Sequence, residues 1–226
     1  MKLALLGSRM SSRVSITVEE LANVATHGFG LVVSLAALPI FILLAARGGD
    51  LWTIIGVAVF GATLVGAYGA STVYHAMPSG PHKERWLRLD QSAVYLLIAG
   101  TYTPFTLGAL RGPWGWSLFS LIWLGALIGI YARVGLRLHR PKLENLTYLA
   151  MGWLVLVAVD PLLKHIGWAG LGWLLAGGIA YSLGVVFLSS RARFGHCAWH
   201  VFVLGGSACH AIAVLGYGIN SAAIVR

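Results

Sequence analysis

The chain has 226 residues, of which 58% are hydrophobic and only 10% are charged, and its formal net charge is +9. Soluble domains carry about 25% charged residues, so this composition excludes an ordinary soluble globular protein and predicts an integral membrane protein. The basic residues lie in short connections between apolar runs, which indicates membrane topology and no nucleic-acid partner.

Seven apolar segments approach the length of about 20 residues that a membrane-crossing helix needs. The fifth segment is the weakest, because it is short and Asp160 and Pro161 interrupt it. The pattern predicts an all-α fold, a bundle of seven transmembrane helices over residues 27–219, between a short N-terminal segment (1–26) and a tail (220–226). In chain order the predicted spans are 27–46, 52–76, 90–110, 114–132, 147–163, 168–189 and 197–219.

Basic residues are distributed unevenly between the two sides of this bundle. Twelve of the 16 Lys and Arg residues fall in the N-terminal segment and in the second, fourth and sixth connections, and four fall on the opposite side. Positively charged connections stay in the cytoplasm. We therefore predict a cytoplasmic N-terminus and an external C-terminus, in the inner (plasma) membrane of the cell.

Polar residues collect at the predicted cytoplasmic ends of three spans, namely His75, Asp90, His196 and His200. The last two are four residues apart, so on a helix they share a face, with Cβ atoms about 5–6 Å apart. That spacing lets one helix offer two imidazoles to a metal, and His75 would add a third nitrogen while leaving a position for water. Histidines at a membrane boundary can equally be hydrogen-bonded residues without a metal, and the spacing alone leaves both interpretations open.

Two further side chains share the predicted site. Ser71 precedes His75 by four residues and lies on the same helix face. It could polarise a substrate carbonyl or hold a ligand in place. Asp90 could orient a water molecule or take its proton, so we treat Asp90 and Ser71 as candidate catalytic residues.

Other polar residues favour a supporting role. Glu20, Asn23 and His27 recur with spacings of three and four residues and form one stripe at the start of the first helix. They are expected to support the site rather than bind the metal. His210 is ten residues beyond His200 on a different part of the helix face, so we expect a supporting or packing group there.

Together these segments resemble the hemolysin III branch of the progestin and adipoQ receptor family. The similar stretches keep their order from the first predicted helix to the seventh. They are Glu20 to His27, Ser71 to His75, Asp90 to Pro104, and His196 to His210.

The resemblance implies a seven-helix protein with a zinc ion near the cytoplasmic face, bound by His75, His196 and His200. Asp90 would hold the water at the zinc, and Ser71 would lie beside it. Adiponectin receptors in this family are linked to ceramide hydrolysis, and the wider superfamily includes alkaline ceramidases. The bacterial branch is linked to homeostasis of membrane lipids and membrane energy. The chain departs from the receptor members, which have a long N-terminal domain, and we therefore expect a bacterial protein.

The function expected from this resemblance is zinc-dependent hydrolysis of a lipid amide or ester. Its partners would be membrane lipids, with a small-molecule lipid as the substrate. Two alternatives remain open at this point. One is a non-enzymatic membrane sensor or regulator in which zinc only ties the helices together. The other is a pore-forming cytolysin, which the hemolysin name implies.

Overall fold

A computed structural model describes residues 17–219, and within this range the regular secondary structure is entirely helical, without strands. This confirms the predicted all-α class. Residues 1–16 and the predicted tail (220–226) lie outside the described residues, as do four of the basic residues counted for topology, Lys2, Arg9, Arg13 and Arg226.

The α-helices begin at recognisable start signals. Thr17 Oγ1 accepts the backbone N–H of Glu20 at 3.2 Å, Asp50 Oδ1 accepts that of Thr53 at 3.0 Å, and three other helices begin at proline. The helices are α1 (Val18–Gly48), α2 (Leu51–Ala76), α3 (Pro81–Leu107), α4 (Pro113–Ile130), α5 (Pro141–Gly152), α6 (Val159–Leu188) and α7 (Gly195–Ala213). Helices α4 and α7 continue as the π-helical turns Tyr131–Gly135 and Val214–Gly218, and the 3₁₀ turn Trp153–Ala158 links α5 to α6.

Five helical stretches in the described part of the chain are long and apolar enough to cross a membrane. They are Val18–Gly48, Leu51–Ala76, Pro113–Gly135, Pro141–Leu188 and Gly195–Gly218. The predicted third span lies in α3, which is outside this set. Its first turns are charged, and its remaining part has low hydropathy because it contains Asp90, Gln91, three threonines and Pro104. The predicted fifth and sixth spans lie together in one run of 48 residues.

That long run is interrupted at two places. The first is the 3₁₀ turn, which precedes Pro161. Proline interrupts the helix before it, because it cannot donate a helix hydrogen bond and its ring clashes with the preceding turn. The Tyr102 hydroxyl from α3 enters this turn, where it lies 2.8 Å from the carbonyl oxygens of Met151 and Gly152 and accepts the N–H of Val155 at 2.8 Å. The second is Gly167, whose φ of 64° and ψ of 179° are not helical.

Apolar side chains face outwards, and small residues let the helices pack closely. Val32, Leu43 and Val186 are 67%, 62% and 65% exposed, as expected for a surface in contact with lipid. A Cβ on Gly129 of α4 would lie 2.4 Å from the Tyr95 ring of α3, so only glycine fits that contact. Gly129 therefore serves packing between α3 and α4 within the chain.

The antiparallel arrangement of neighbouring helices determines where the polar ends meet. Helix α1 packs along α2 and against α7, and α2 packs along α3. The start of α1, the end of α2 and the starts of α3 and α7 therefore lie on one side of the bundle. On the other side, Arg111 and Asp50 form an ion pair between the α3–α4 and α1–α2 connections.

Candidate metal centre

Three imidazoles from two helices converge at the polar end of the bundle. His75 lies in the last turn of α2, and His196 and His200 lie in the first turns of α7. One ring nitrogen from each can be chosen so that all three lie within 4.8 Å of one another, and the Nε2 atoms of His75 and His196 are 3.1 Å apart. His75 and His200 are 3% and 1% exposed. Within the described residues, this group of His, Cys, Asp and Glu side chains is the one that could hold a metal ion.

The His75 ring is held from behind by a carboxylate. Its Nδ1 lies 2.5 Å from Oε2 of Glu20, at the start of α1, and Oε1 of Glu20 accepts a hydrogen bond from Lys83 Nζ at 2.6 Å. An imidazole whose Nδ1–H donates to a carboxylate presents the lone pair of Nε2 on its other edge. Carboxylates in this position raise the basicity of metal-binding histidines and orient their rings.

Thr26 determines the tautomer of His200 in the same way. The Thr26 hydroxyl lies 2.9 Å from the carbonyl oxygen of Ala22 and 3.0 Å from that of Asn23, so its single hydrogen is donated to the α1 backbone. Its oxygen is 3.1 Å from His200 Nδ1. The hydroxyl must therefore accept the Nδ1–H of His200, which leaves the lone pair of Nε2 free to bind a metal.

The two candidate catalytic residues are linked to each other and to His27. Ser71 is fully buried, its Oγ is 2.7 Å from His27 Nδ1, and its side chain lies beside Asp90. Ser71 can accept the Nδ1–H of His27 and direct its own hydrogen toward the Asp90 carboxylate. The His27 ring stacks on His200 with centroids 3.5 Å apart, so it packs against the cluster without belonging to the converging trio.

The remaining supporting residues lie at two different distances from the trio. Asn23 is buried, and its Nδ2 lies 3.4 Å from His75 Nδ1. His210 lies ten residues beyond His200, about 15 Å along the helix axis. Its Nε2 donates to the Leu174 carbonyl oxygen at 3.2 Å, so the structure places it between α6 and α7, away from the cluster.

A chamber of about 760 Å³ extends from this cluster into the bundle. Its polar end is lined by Ser71, Asp90, His196 and His200, and its lining continues past aromatic residues to leucines of α3, α4 and α6. A chamber of this size with polar groups at one end is typical of a binding site for a small, largely apolar molecule.

Two residues at the site have roles that the sequence analysis did not assign. Thr26 appeared there only inside a matching stretch, although it is three residues after Asn23 and so lies on the same side of α1. Lys83 appeared only as a basic residue of a connection. Nothing in its spacing indicates the contact with Glu20, because the contact depends on where the α2–α3 connection places the start of α3 relative to the start of α1.

Comparison with known proteins finds relatives over most of the chain. The family model described as Haemolysin-III related matches residues 16–211. Hemolysin-3 of Bacillus cereus is 41% identical over 215 residues, covering 95% of this chain and 98% of that protein. The Hemolysin-3 homolog of Bacillus subtilis (strain 168) is 42% identical over 203 residues, covering 89% and 95%. The human monocyte to macrophage differentiation factor is 30% identical over 212 residues, covering 88% and 84%.

Proposed function

Because the chain belongs to the haemolysin-III-related family, as its motifs predicted, we propose that it is a zinc-dependent hydrolase of a lipid amide or ester. We place it as a seven-span protein in the bacterial plasma membrane, with a role in membrane lipid homeostasis. The observation that carries this proposal is the convergence of His75, His196 and His200 at the polar end of an apolar chamber.

The seven-span topology rests on two features of the helices. Gly167 has left-handed φ in the middle of the run Pro141–Leu188, so the run contains two spans that meet at this glycine on the external side. Helix α3 supplies the remaining span once its charged first turns are assigned to the cytoplasmic interface. The N-terminus is then cytoplasmic and the C-terminus external, in agreement with the distribution of basic residues.

Zinc is the metal that best suits the donor set. Three neutral imidazoles without a fourth protein ligand are typical of catalytic zinc, whereas structural zinc sites are normally closed by four protein ligands. The contacts of Glu20 and Thr26 support this choice, because they leave the Nε2 atoms of His75 and His200 unprotonated. A zinc ion in such a site polarises carbonyl groups and lowers the pKa of water to about 7.

The protein side chains would orient the substrate and move the proton. Asp90 lines the chamber beside His196 and His200, where its carboxylate can accept the proton of the attacking water and pass it to the leaving group. Ser71 lies beside that carboxylate and would hold it in place by donating to it. The apolar part of the chamber would exclude water from the acyl chain and position the scissile bond at the polar end.

The test combines zinc analysis with a search for turnover. Purified protein in detergent is analysed for zinc and then incubated with ceramide and with oleoyl esters, and released fatty acid is measured by mass spectrometry. His196→Ala should lose both zinc and turnover, whereas Asp90→Ala should keep zinc and lose turnover by about 100-fold or more. His82→Ala, an exposed histidine on the same side, should match the unchanged protein.

Other outcomes favour the two alternative functions. Bound zinc without turnover of any lipid would favour a sensor with structural zinc. The relatives named Hemolysin-3 favour testing for a pore, and ion leakage from liposomes that persists in Asp90→Ala would favour that function. Turnover retained in both the His196 and Asp90 variants would contradict the hydrolase.

A further inference from the structure

The chamber opens toward the polar side of the bundle between the start of α5 and the end of α6. Asn145 Nδ2 donates to Ser189 Oγ at 3.2 Å and so joins the two helices at this point. Lys142, three residues before Asn145, and Arg191, two residues after Ser189, both line the chamber and are exposed. We call Lys142, Asn145, Ser189 and Arg191 the mouth of the chamber.

The mouth carries positive charge that the described residues do not neutralise. Neither Lys142 nor Arg191 forms an ion pair within residues 17–219. Glu144 is the acidic residue at this place, and it offsets one of the two positive charges. Its Oε1 accepts the Arg140 N–H at 3.1 Å and lies 3.5 Å from His139 Nδ1, so a net positive charge remains at the mouth.

The backbone adds to this charge. Helix α5 begins at Pro141, so its first N–H groups face the same region, and a helix N-terminus carries a partial positive charge. Two cations, one helix start and the amide of Asn145 together offer several hydrogen-bond donors. Phosphate oxygens accept such donors in charge-assisted hydrogen bonds.

The position of the mouth indicates which part of a lipid it would contact. An acyl chain in the apolar part of the chamber places its amide or ester carbonyl near Asp90, His196 and His200. The atoms beyond that carbonyl, which form the head group, would then extend toward the cytoplasmic interface. Arg191 lies in the connection that leads into α7, whose first turns carry His196 and His200, so the mouth is on the side of the histidines toward which the head group would extend.

We propose that the lipid held in this chamber has an anionic, phosphate-bearing head group that Lys142 and Arg191 contact. This inference rests on the proposed lipid hydrolase and narrows its substrate class from lipid amides and esters in general to those with an anionic leaving group. Basic residues are common in all cytoplasmic connections, so the test must separate these two from their neighbours.

The experiment compares two lipids that differ only in the phosphate. The full chain in non-ionic detergent is titrated with oleoyl lysophosphatidic acid or with monooleoylglycerol, and binding is followed by tryptophan fluorescence, since Trp153 and Trp199 line the chamber. At low ionic strength the phosphate lipid should bind about tenfold more tightly. The double variant Lys142→Gln with Arg191→Gln should bind the two lipids equally.

The matched control removes the same charge from the same side of the bundle. Arg85 and Arg88 lie in the first turns of α3 and do not line the chamber, so Arg85→Gln with Arg88→Gln should keep the tenfold preference. Raising the salt concentration should reduce the preference in the unchanged protein, because exposed charges are screened. Inorganic phosphate should displace the phosphate lipid only weakly.

Each other outcome overturns a defined part of the inference. Equal binding of the two lipids, or loss of the preference in the α3 control as well, would overturn the role of the mouth while leaving the hydrolase intact. Displacement by inorganic phosphate with the same affinity would identify a soluble anion as the ligand and overturn the lipid assignment. Failure of both lipids to bind would overturn the lipid chamber itself, and with it the proposed function.

Discussion

From the contact between Glu20 and His75 we predict that zinc affinity depends on a residue that is not a ligand. Glu20 Oε2 lies 2.5 Å from His75 Nδ1, and the other carboxylate oxygen holds the Lys83 ammonium at 2.6 Å. Glu20→Gln removes the negative charge that makes the imidazole a stronger donor. It also leaves the Lys83 ammonium without its anionic partner, and this positive charge would then repel a metal cation bound by the histidines. Both effects should weaken metal binding.

The size of the effect follows from the geometry of this contact. Loss of a hydrogen-bonded partner behind a metal-binding histidine costs about 10- to 100-fold in metal affinity, which is about 1.4–2.7 kcal/mol. The side chain of Glu20 is 26% exposed, so water screens part of its charge. The glutamine oxygen can still accept the Nδ1–H of His75. Both facts favour the lower half of that range.

The neighbouring residue provides a matched control. Glu19→Gln makes the same chemical change one position earlier, where the carboxylate lies 3.9 Å from Arg193 and contacts none of the three histidines. The zinc dissociation constant of each purified variant can be measured by competition with a chromogenic chelator. Unchanged affinity in Glu20→Gln, or an equal loss in Glu19→Gln, would refute the argument that the carboxylate behind His75 tunes the site.

Three further predictions concern residues that the structure singles out. Thr26→Val should lower zinc affinity by about tenfold, because a ligand imidazole loses the acceptor for its Nδ1–H, whereas Thr26→Ser should restore it in the same chelator assay. Tyr102→Phe should lower the free energy of unfolding by about 1–3 kcal/mol, because it leaves the backbone of the 3₁₀ turn without its hydroxyl partner. Zinc affinity should stay unchanged in this variant, and a loss of zinc would contradict the structural role of Tyr102. Gly177→Ala should lower the free energy of unfolding by about 1–3 kcal/mol, because the new Cβ would lie 2.3 Å from the ring of His210 in α7. Gly172→Ala, with nothing within 4 Å, is the control for thermal unfolding and should be neutral or slightly stabilising.

The sequence was sufficient for the class of protein and for the members of the histidine cluster. Apolar runs of about 20 residues satisfy their backbone hydrogen bonds inside a membrane by forming helices, and the regular structure of the described residues is helical. The ends of those helices fix the depth of each polar residue in the membrane. His75, His196 and His200 could therefore be assigned to one level before their lateral positions were known.

Depth along a helix says little about which residues touch around the bundle. Glu20 and His75 are 55 residues apart, and Thr26 and His200 are 174 apart. Their contacts exist because α1 packs against both α2 and α7. Small residues allow these helices to approach closely, and the periodicity of any one helix does not specify which neighbour it packs against. The same is true of Lys83, whose contact requires the α2–α3 connection to place the start of α3 near the start of α1.

The tertiary structure alone decided the chamber and the course of the long run from Pro141 to Leu188. The cavity is the space that neighbouring helices leave unfilled, so it belongs to no single segment of the sequence. The 3₁₀ turn persists because a tyrosine from another helix satisfies its backbone. Composition and spacing specify which residues enter the membrane and at what depth, whereas the packing of side chains between helices specifies which of them meet.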